Sequence, residues 1–246
     1  MIRRWLAVIV LGTSVLCGTS ARASSIDVTW NDCALESAAY QLNLVNCTST
    51  TQVASCYFTV VVDQTIPDFV AASVNVIFED QSYQAIHPFW RFDSVAQGGC
   101  NSTGVVANDD AEPSQGRCAG ELSPWGFAGN EATPTIQSYV APLHGVRYWG
   151  ELVAAVFRDP GSPTVLQAGT HYYLGHLTFN TQKGGTCGGC DLPVGVACSA
   201  TLYGLGGPPV EVSGEGKVSS YLVINGGARP TPVARTSWAQ LKSLYR

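Results

Sequence analysis

Strict alternation of apolar side chains in two neighbouring segments constrains the fold of this chain more than any other feature. The first segment carries apolar residues at Phe58, Val60 and Val62, and the second at Val70, Ala72, Val74, Val76 and Phe78. Successive side chains of a β-strand point to opposite faces, so this spacing predicts two strands that each bury one face. Pro67 and Asp68 between them predict a hairpin or a short crossover.

Further segments along the chain show strand-like patterns. The clearer ones are Gly145–Arg158, His171–Asn180, Val194–Tyr203 and Ser219–Ile224, and the weaker ones are Ile26–Trp30, Tyr40–Asn46, Ile86–Phe92 and Ile136–Val140. Residues 97–135, rich in Gly, Ser, Asn, Asp and Pro, predict a long loop region. About ten strands with almost no helical periodicity predict an all-β chain, a single two-sheet β-sandwich of jelly-roll or Greek-key type.

The N-terminus has the composition of a secretory signal peptide. Arg3 and Arg4 precede an apolar stretch, and Ala21 and Ala23 form a small-x-small cleavage site. The apolar stretch is shorter than the roughly 20 residues that a membrane helix needs. We therefore expect a secreted or cell-surface protein with no membrane span, divided into a signal peptide (1–23), a β-sandwich domain (24–225), a linker (226–236) and a C-terminal amphipathic tail (237–246).

The C-terminal tail predicts a short helix. Ser237 can cap it, and Trp238, Leu241, Leu244 and Tyr245 recur at helical spacing on one face. Such a tail could dock to a sorting or surface partner. The alternative is a terminal helix that packs on the sandwich or frays.

Cysteine usage also favours an oxidising compartment. The chain has nine cysteines, and loss of Cys17 with the signal leaves an even number, which in an exported chain predicts disulfides. Connectivity is open, because eight cysteines allow on the order of a hundred pairings. From sequence distance and strand placement we expect the pairs Cys33–Cys47, Cys56–Cys198, Cys100–Cys118 and Cys187–Cys190.

The Cys187-Gly188-Gly189-Cys190 motif has three interpretations. A CxxC pair can be a structural disulfide, a redox pair, or half of a zinc site. Redox pairs usually open a helix, whereas Pro193 and a strand-like segment follow here. Zinc would need a fourth ligand beyond Cys187, Cys190 and Cys198. A structural disulfide is therefore favoured, and no cofactor is expected.

Other side chains give weaker signals for metal binding or catalysis. The four histidines lack zinc-ligand spacing, and His171 and His176, five residues apart on one strand, are expected on opposite faces. Asp109, Asp110 and Glu112 form a weak calcium candidate, because Ca²⁺ takes oxygen ligands; a solvated loop explains them equally well. No catalytic residue can be assigned. Two carboxylates across a cleft would suffice for a glycosidase, with Asp93, Glu121 and Glu151 as first candidates.

Aromatic residues are the remaining signal for ligand binding. Exposed Trp and Tyr side chains stack on sugars and dominate binding energies. This predicts a possible ligand platform formed by Trp90, Trp125, Tyr148 and Trp149. The alternative is that these rings belong to the hydrophobic core.

Several motifs resemble a group of exported bacterial proteins to which no activity is assigned. They are Trp30-Asn31-Asp32-Cys33, Pro88-Phe89-Trp90-Arg91-Phe92, Cys118 with Pro124-Trp125, the segment Cys187–Val194, and the closing Trp238, Lys242, Tyr245 and Arg246. Phe89 stands where a second Trp is common in that group. The resemblance implies a secreted β-rich protein and contributes no catalytic residue.

These observations favour a non-catalytic extracellular module that binds a partner, a glycan or another cell-surface component, or that builds a surface structure. The net charge of −5, with no basic stripe, argues against a nucleic-acid partner and against binding to an anionic membrane through a polybasic patch. The alternatives are a secreted glycoside-active hydrolase with paired carboxylates and a surface-layer or filament subunit.

Overall fold

The fold consists almost entirely of β-strands. A computed structural model of the chain describes residues 24–30, 33, 41–42, 47–48, 53–93, 99–108, 118, 120–125, 133–182, 185–213 and 221–225. The strands are β1 (Ser25–Trp30), β2 (Gln41–Leu42), β3 (Val53–Val61), β4 (Ile66–Asp80), β5 (Val105–Asn108), β6 (Thr133–Val140), β7 (Trp149–Phe157), β8 (Thr164–Leu166), β9 (His171–Asn180), β10 (Val194–Gly204), β11 (Val210–Ser213) and β12 (Tyr221–Ile224).

The strands form two sheets. One sheet has four strands in the order β1-β3-β9-β5, and the other has the order β2-β12-β10-β4-β7-β6, with β11 on β10 and β8 on β4. All pairings are antiparallel except the short parallel pairing of β2 with β12. The chain crosses from the four-stranded to the eight-stranded sheet four times, between β1 and β2, β3 and β4, β5 and β6, and β9 and β10. The predicted two-sheet β-sandwich is confirmed.

The hydrophobic core lies between the sheets, where the alternating residues of β3 and β4 are buried as predicted. The exception is Val70, which is only partly buried. Opposite β10, Tyr203 pairs with Ala71 and Gly204 with Phe69, so Val70 is an extra residue in β4 and Phe69 lies in the core instead. The rings of Phe78, Trp90, Phe92 and Phe179 pack together with centroids 5.4 to 6.5 Å apart. Each buried ring of this kind stabilises the fold by roughly 1.5 to 3 kcal/mol.

Strand predictions fail where proline or short length obscures the pattern. The predicted strand Ile86–Phe92 is wrong, because a 3₁₀ helix occupies Pro88–Trp90 and proline has no N–H for a sheet ladder. Three short strands were not predicted: β5, β8 and β11. The first of them lies in the region expected to be loop. Of Tyr40–Asn46, the structure describes Gln41 and Leu42 as a strand and not the other five residues.

Three disulfides join distant segments, and their pairing differs from the expectation. The bonds are Cys33–Cys118, Cys47–Cys190 and Cys100–Cys187. The predicted pairs Cys33–Cys47, Cys100–Cys118 and Cys187–Cys190 are therefore wrong. The segment 187–190 runs beside the 3₁₀ helix, where the amide of Phe89 donates to the Gly188 carbonyl at 3.1 Å. From this position its two cysteines reach two different partners.

Cys56 on β3 and Cys198 on β10 are free thiols rather than the expected bonded pair. Both are buried in the core between the sheets. Because desolvation disfavours the thiolate, burial raises the pKa of both thiols. Neither is therefore placed to act as a reactive cysteine.

Within the described ranges, no helix has the length and apolar character that crossing a membrane requires. The predicted signal peptide, linker and C-terminal tail and the calcium candidates Asp109, Asp110 and Glu112 lie outside the described residues.

Candidate functional site

The four predicted platform residues do not form one surface. Trp90 and Trp125 are 0% and 2% exposed. Their indole N–H groups donate to backbone carbonyls inside the protein, of Gly189 at 3.1 Å and of Leu174 at 2.9 Å. The prediction is wrong for these two residues, because a tryptophan whose N–H finds an internal acceptor is well suited to the core.

Tyr148 and Trp149 do lie together near the surface. Their ring centroids are 5.7 Å apart, and the Tyr148 ring packs edge-to-face against Tyr83 at 5.4 Å. Tyr83 is 61% exposed, the most exposed large apolar side chain among the described residues. These three rings, together with Tyr221 and the carboxylate of Glu79, are called the aromatic patch below.

Glu79 lies at the centre of the patch because of strand register. On β4 it pairs with Trp149 of β7 on one side and with Gly195 of β10 on the other. A Cβ atom at position 195 would lie only 1.9 Å from the hydroxyl of Tyr221. Glycine at this position therefore allows the Tyr221 ring to lie across β10 and reach Glu79.

Hydrogen bonds fix the orientation of the Glu79 carboxylate. The indole of Trp149 donates to Oε1 at 3.4 Å, and the hydroxyl of Tyr221 donates to Oε2 at 3.1 Å. Gln81 donates in turn to the Tyr221 hydroxyl at 2.8 Å. The carboxylate is thus held between two aromatic side chains on the outer face of the eight-stranded sheet.

The turn that carries Tyr83 is tied to the loop that carries Tyr148. The amide of Asp80 donates to the Tyr148 carbonyl at 2.9 Å, and the buried Asp80 carboxylate lies 2.7 Å from His87 Nε2. Tyr83 has a backbone φ of 57°, an uncommon value for a residue with a side chain. Such conformations persist where the surrounding structure holds them, and they concentrate at ligand sites.

The three candidate catalytic carboxylates do not converge. Asp93 is buried in an ion pair with Arg91. Glu151 pairs with Ile77 on the outer face of the eight-stranded sheet. Glu121 adjoins Leu122, which bridges Tyr172 of β9. Its carboxyl group is near that of Asp27, which alternates with the core residues of β1 and so lies on the outer face of the four-stranded sheet. Since packed sheets are about 10 Å apart, Glu121 and Glu151 cannot flank a single glycosidic bond.

Glu121 belongs to a second polar region, on the outer face of the four-stranded sheet. It is 4% exposed, and neither carboxylate oxygen has a hydrogen-bond partner. Burial, with a smaller contribution from the Asp27 carboxylate, raises the pKa of Glu121 to about 7. A pKa in this range suits a general acid, but the side chain is closed off from solvent.

A β-bulge in β9 brings further polar groups to the same face. Tyr57 pairs with His176 and Thr59 with Tyr173, so Leu174 is an extra residue in the ladder. The Tyr173 hydroxyl lies 2.6 Å from His176 Nδ1. His171 and His176 therefore share one face, and the prediction of opposite faces is wrong because it assumed an unbroken alternation.

The described residues contain no cluster of three or more His, Cys, Asp or Glu side chains that could hold a metal ion. Cys187 and Cys190, the proposed zinc ligands, are both in disulfides, so the zinc and redox interpretations of the CxxC motif are not supported.

The fold and the surface together define a disulfide-bonded, two-sheet β-sandwich protein with an aromatic patch on its larger sheet. No protein-family model matches the chain, and no curated protein is significantly similar to it in sequence. Function is therefore inferred from the geometry of the described residues.

Proposed function

We propose that this protein is an exported, non-catalytic module that binds a saccharide at the aromatic patch. The observation that carries this proposal is the group formed by the exposed Tyr83 and the partly exposed Tyr148 and Trp149, beside a carboxylate of fixed orientation. Aromatic faces stack on the apolar C–H faces of sugar rings, and a fixed carboxylate accepts hydrogen bonds from sugar hydroxyls.

The disulfides support the exported location, because such bonds persist in oxidising compartments. The antiparallel β-sandwich supports a binding role, because a rigid sheet holds side chains in place without ordering them on binding. Export itself and the signal peptide are part of the proposal.

The chain offers matched controls for a binding experiment. Phe157 lies on the same strand as Trp149, eight residues away, and Tyr203 is a second exposed tyrosine outside the patch; they are 40% and 38% exposed. We expect Trp149→Ala and Tyr83→Ala to weaken saccharide binding about tenfold or more. Phe157→Ala and Tyr203→Ala should leave it unchanged.

The measurement is isothermal titration calorimetry of the purified protein with oligosaccharides that a glycan array identifies as ligands. Equal loss of binding in all four variants would contradict the assignment of the patch, and absence of any glycan ligand would contradict the function. Release of reducing ends by the pure protein would favour the hydrolase alternative instead. A surface-layer or filament subunit would show concentration-dependent assembly in solution.

A further inference from the structure

The aromatic patch carries negative charge that no described lysine, arginine or histidine side chain neutralises. Glu79 and Glu151 lie in adjacent rows of the same outer face, because Glu79 pairs with Trp149 and Ile77 pairs with Glu151. Among the described residues, no lysine, arginine or histidine lies within 4 Å of either carboxylate. The two ion pairs found there, His87 with Asp80 and Arg91 with Asp93, leave both glutamates out.

The aromatic rings add to this negative potential. The faces of Trp and Tyr rings attract cations, Trp most strongly. Trp149 and Tyr221 also direct their N–H and O–H groups to the two oxygens of Glu79, one to each. A carboxylate has about four lone-pair sites, so Glu79 keeps acceptor capacity for donors on a ligand.

From this arrangement we propose that the patch selects saccharides that carry a protonated amino group. This inference deepens the proposed function and rests on it. The sugar ring stacks on the face of Trp149, to which the Tyr148 ring is nearly perpendicular, and its ammonium group lies against Glu79. A charge-assisted hydrogen bond of this kind is roughly twice as strong as a neutral one. A neutral or N-acetylated sugar keeps the stacking and loses the charge interaction.

The test compares two probes of equal length, a fully deacetylated chitooligosaccharide and its fully N-acetylated counterpart. Titrations are run at low ionic strength, at a pH where the free amines are protonated. We expect the deacetylated form to bind roughly tenfold tighter, and added salt to narrow the difference. In Glu79→Gln the preference should disappear, so that the two probes bind with equal affinity and the deacetylated form binds more weakly than it binds the wild-type protein.

Controls separate charge at the patch from general attraction to an acidic protein. Glu211→Gln removes one exposed carboxylate from β11 of the same sheet, and it should keep the full preference. Trp149→Ala should weaken both probes. An unchanged thermal midpoint for Glu79→Gln, within a few degrees, shows that a lost preference is not misfolding.

The outcomes distinguish failure of the amino-sugar selectivity from failure of saccharide binding. Equal affinity for the two probes, or a preference that survives Glu79→Gln, overturns the amino-sugar selectivity and leaves saccharide binding in place. Binding of neither probe, with no other glycan ligand, overturns both. Tighter binding of trilysine than of the deacetylated saccharide overturns the choice of a saccharide as the cationic ligand.

Discussion

Glu121 is a carboxyl group that the fold keeps protonated at weakly acidic pH, where an exposed glutamate would be ionised. Its pKa rises from an ordinary 4.5 to about 7, mainly because burial removes the carboxylate from water. The folded state therefore binds more protons than the unfolded state between these two values. By linkage, the free energy of unfolding falls as the pH rises from about 4.5 to about 7. Above pH 7, Glu121 contributes no further change.

Glu121→Gln should remove this pH dependence, because glutamine does not ionise. Relative to the variant, the wild-type protein should lose on the order of 2 kcal/mol of unfolding free energy between pH 4.5 and pH 8. Urea denaturation at both pH values measures the difference, with Glu211→Gln as the exposed control. If the difference in unfolding free energy between wild type and Glu121→Gln stayed constant across this pH range, the assigned burial of Glu121 would be contradicted.

Cys56 and Cys198 give a second prediction about single residues. Both thiols are buried and free, whereas the other six described cysteines are bonded. In protein produced from residue 24 onward, alkylation under native conditions should label neither thiol, and alkylation in denaturant without reductant should label both.

Intact mass after labelling counts the modified thiols. No labelled thiol in denaturant would mean that Cys56 and Cys198 form a fourth disulfide across the core. More than two would mean that one of the three described disulfides does not form.

At the level of strands, the bulge in β9 depends on one glycine. Gly175 has a φ of 146°, and a Cβ atom there would lie 2.9 Å from the backbone oxygen of Asn108. Contact with backbone cannot be relieved by moving a side chain. Gly175→Ala should therefore destabilise the protein by on the order of 1 to 3 kcal/mol.

The matched control is Gly185→Ala, because a Cβ at Gly185 would meet nothing within 4 Å. Chemical denaturation should show a change below about 0.5 kcal/mol for this control. A similar loss of stability in both variants would contradict the special role of the bulge.

The strands that could be predicted from sequence are those with long, regular alternation. The bounds of β9 match the prediction, and β10 is one residue longer than its predicted strand. The bulge in β9 could not be predicted, because one extra residue reverses the faces of all later side chains without changing the composition. The three- and four-residue strands β5, β8 and β11 are too short to show a period.

The candidate site was only partly predictable. Trp149 and Tyr148 are two of the four predicted platform residues and lie near the surface, but sequence does not distinguish a ring near the surface from a buried one such as Trp90. Glu79, Tyr83 and Tyr221 were missed, since they come together only through the pairing of β4 with β7 and β10. The clash that any side chain at Gly195 would make with Tyr221 is visible only in three dimensions.

For the whole molecule, the two sheets and three disulfides form a rigid frame, and the aromatic patch lies on one outer face of it. The disulfides each close a loop of 85 residues or more, and two of them meet in the short segment 187–190. Sequence distance predicted the wrong disulfide partners, because cysteines that are far apart in the sequence are brought together after the chain has passed through both sheets. A frame of this kind presents side chains with little conformational change on binding.

The central claim is that saccharides bind at the aromatic patch, and the indole N–H resonances of the tryptophans test it directly. Trp149 donates to Glu79 near the surface, whereas Trp90 and Trp125 donate to carbonyls inside the protein. Titration with acetylated and deacetylated chitooligosaccharides, followed by ¹H–¹⁵N spectra, should shift the Trp149 signal progressively and leave those of Trp90 and Trp125 in place. A saccharide that binds without moving the Trp149 signal would contradict the account.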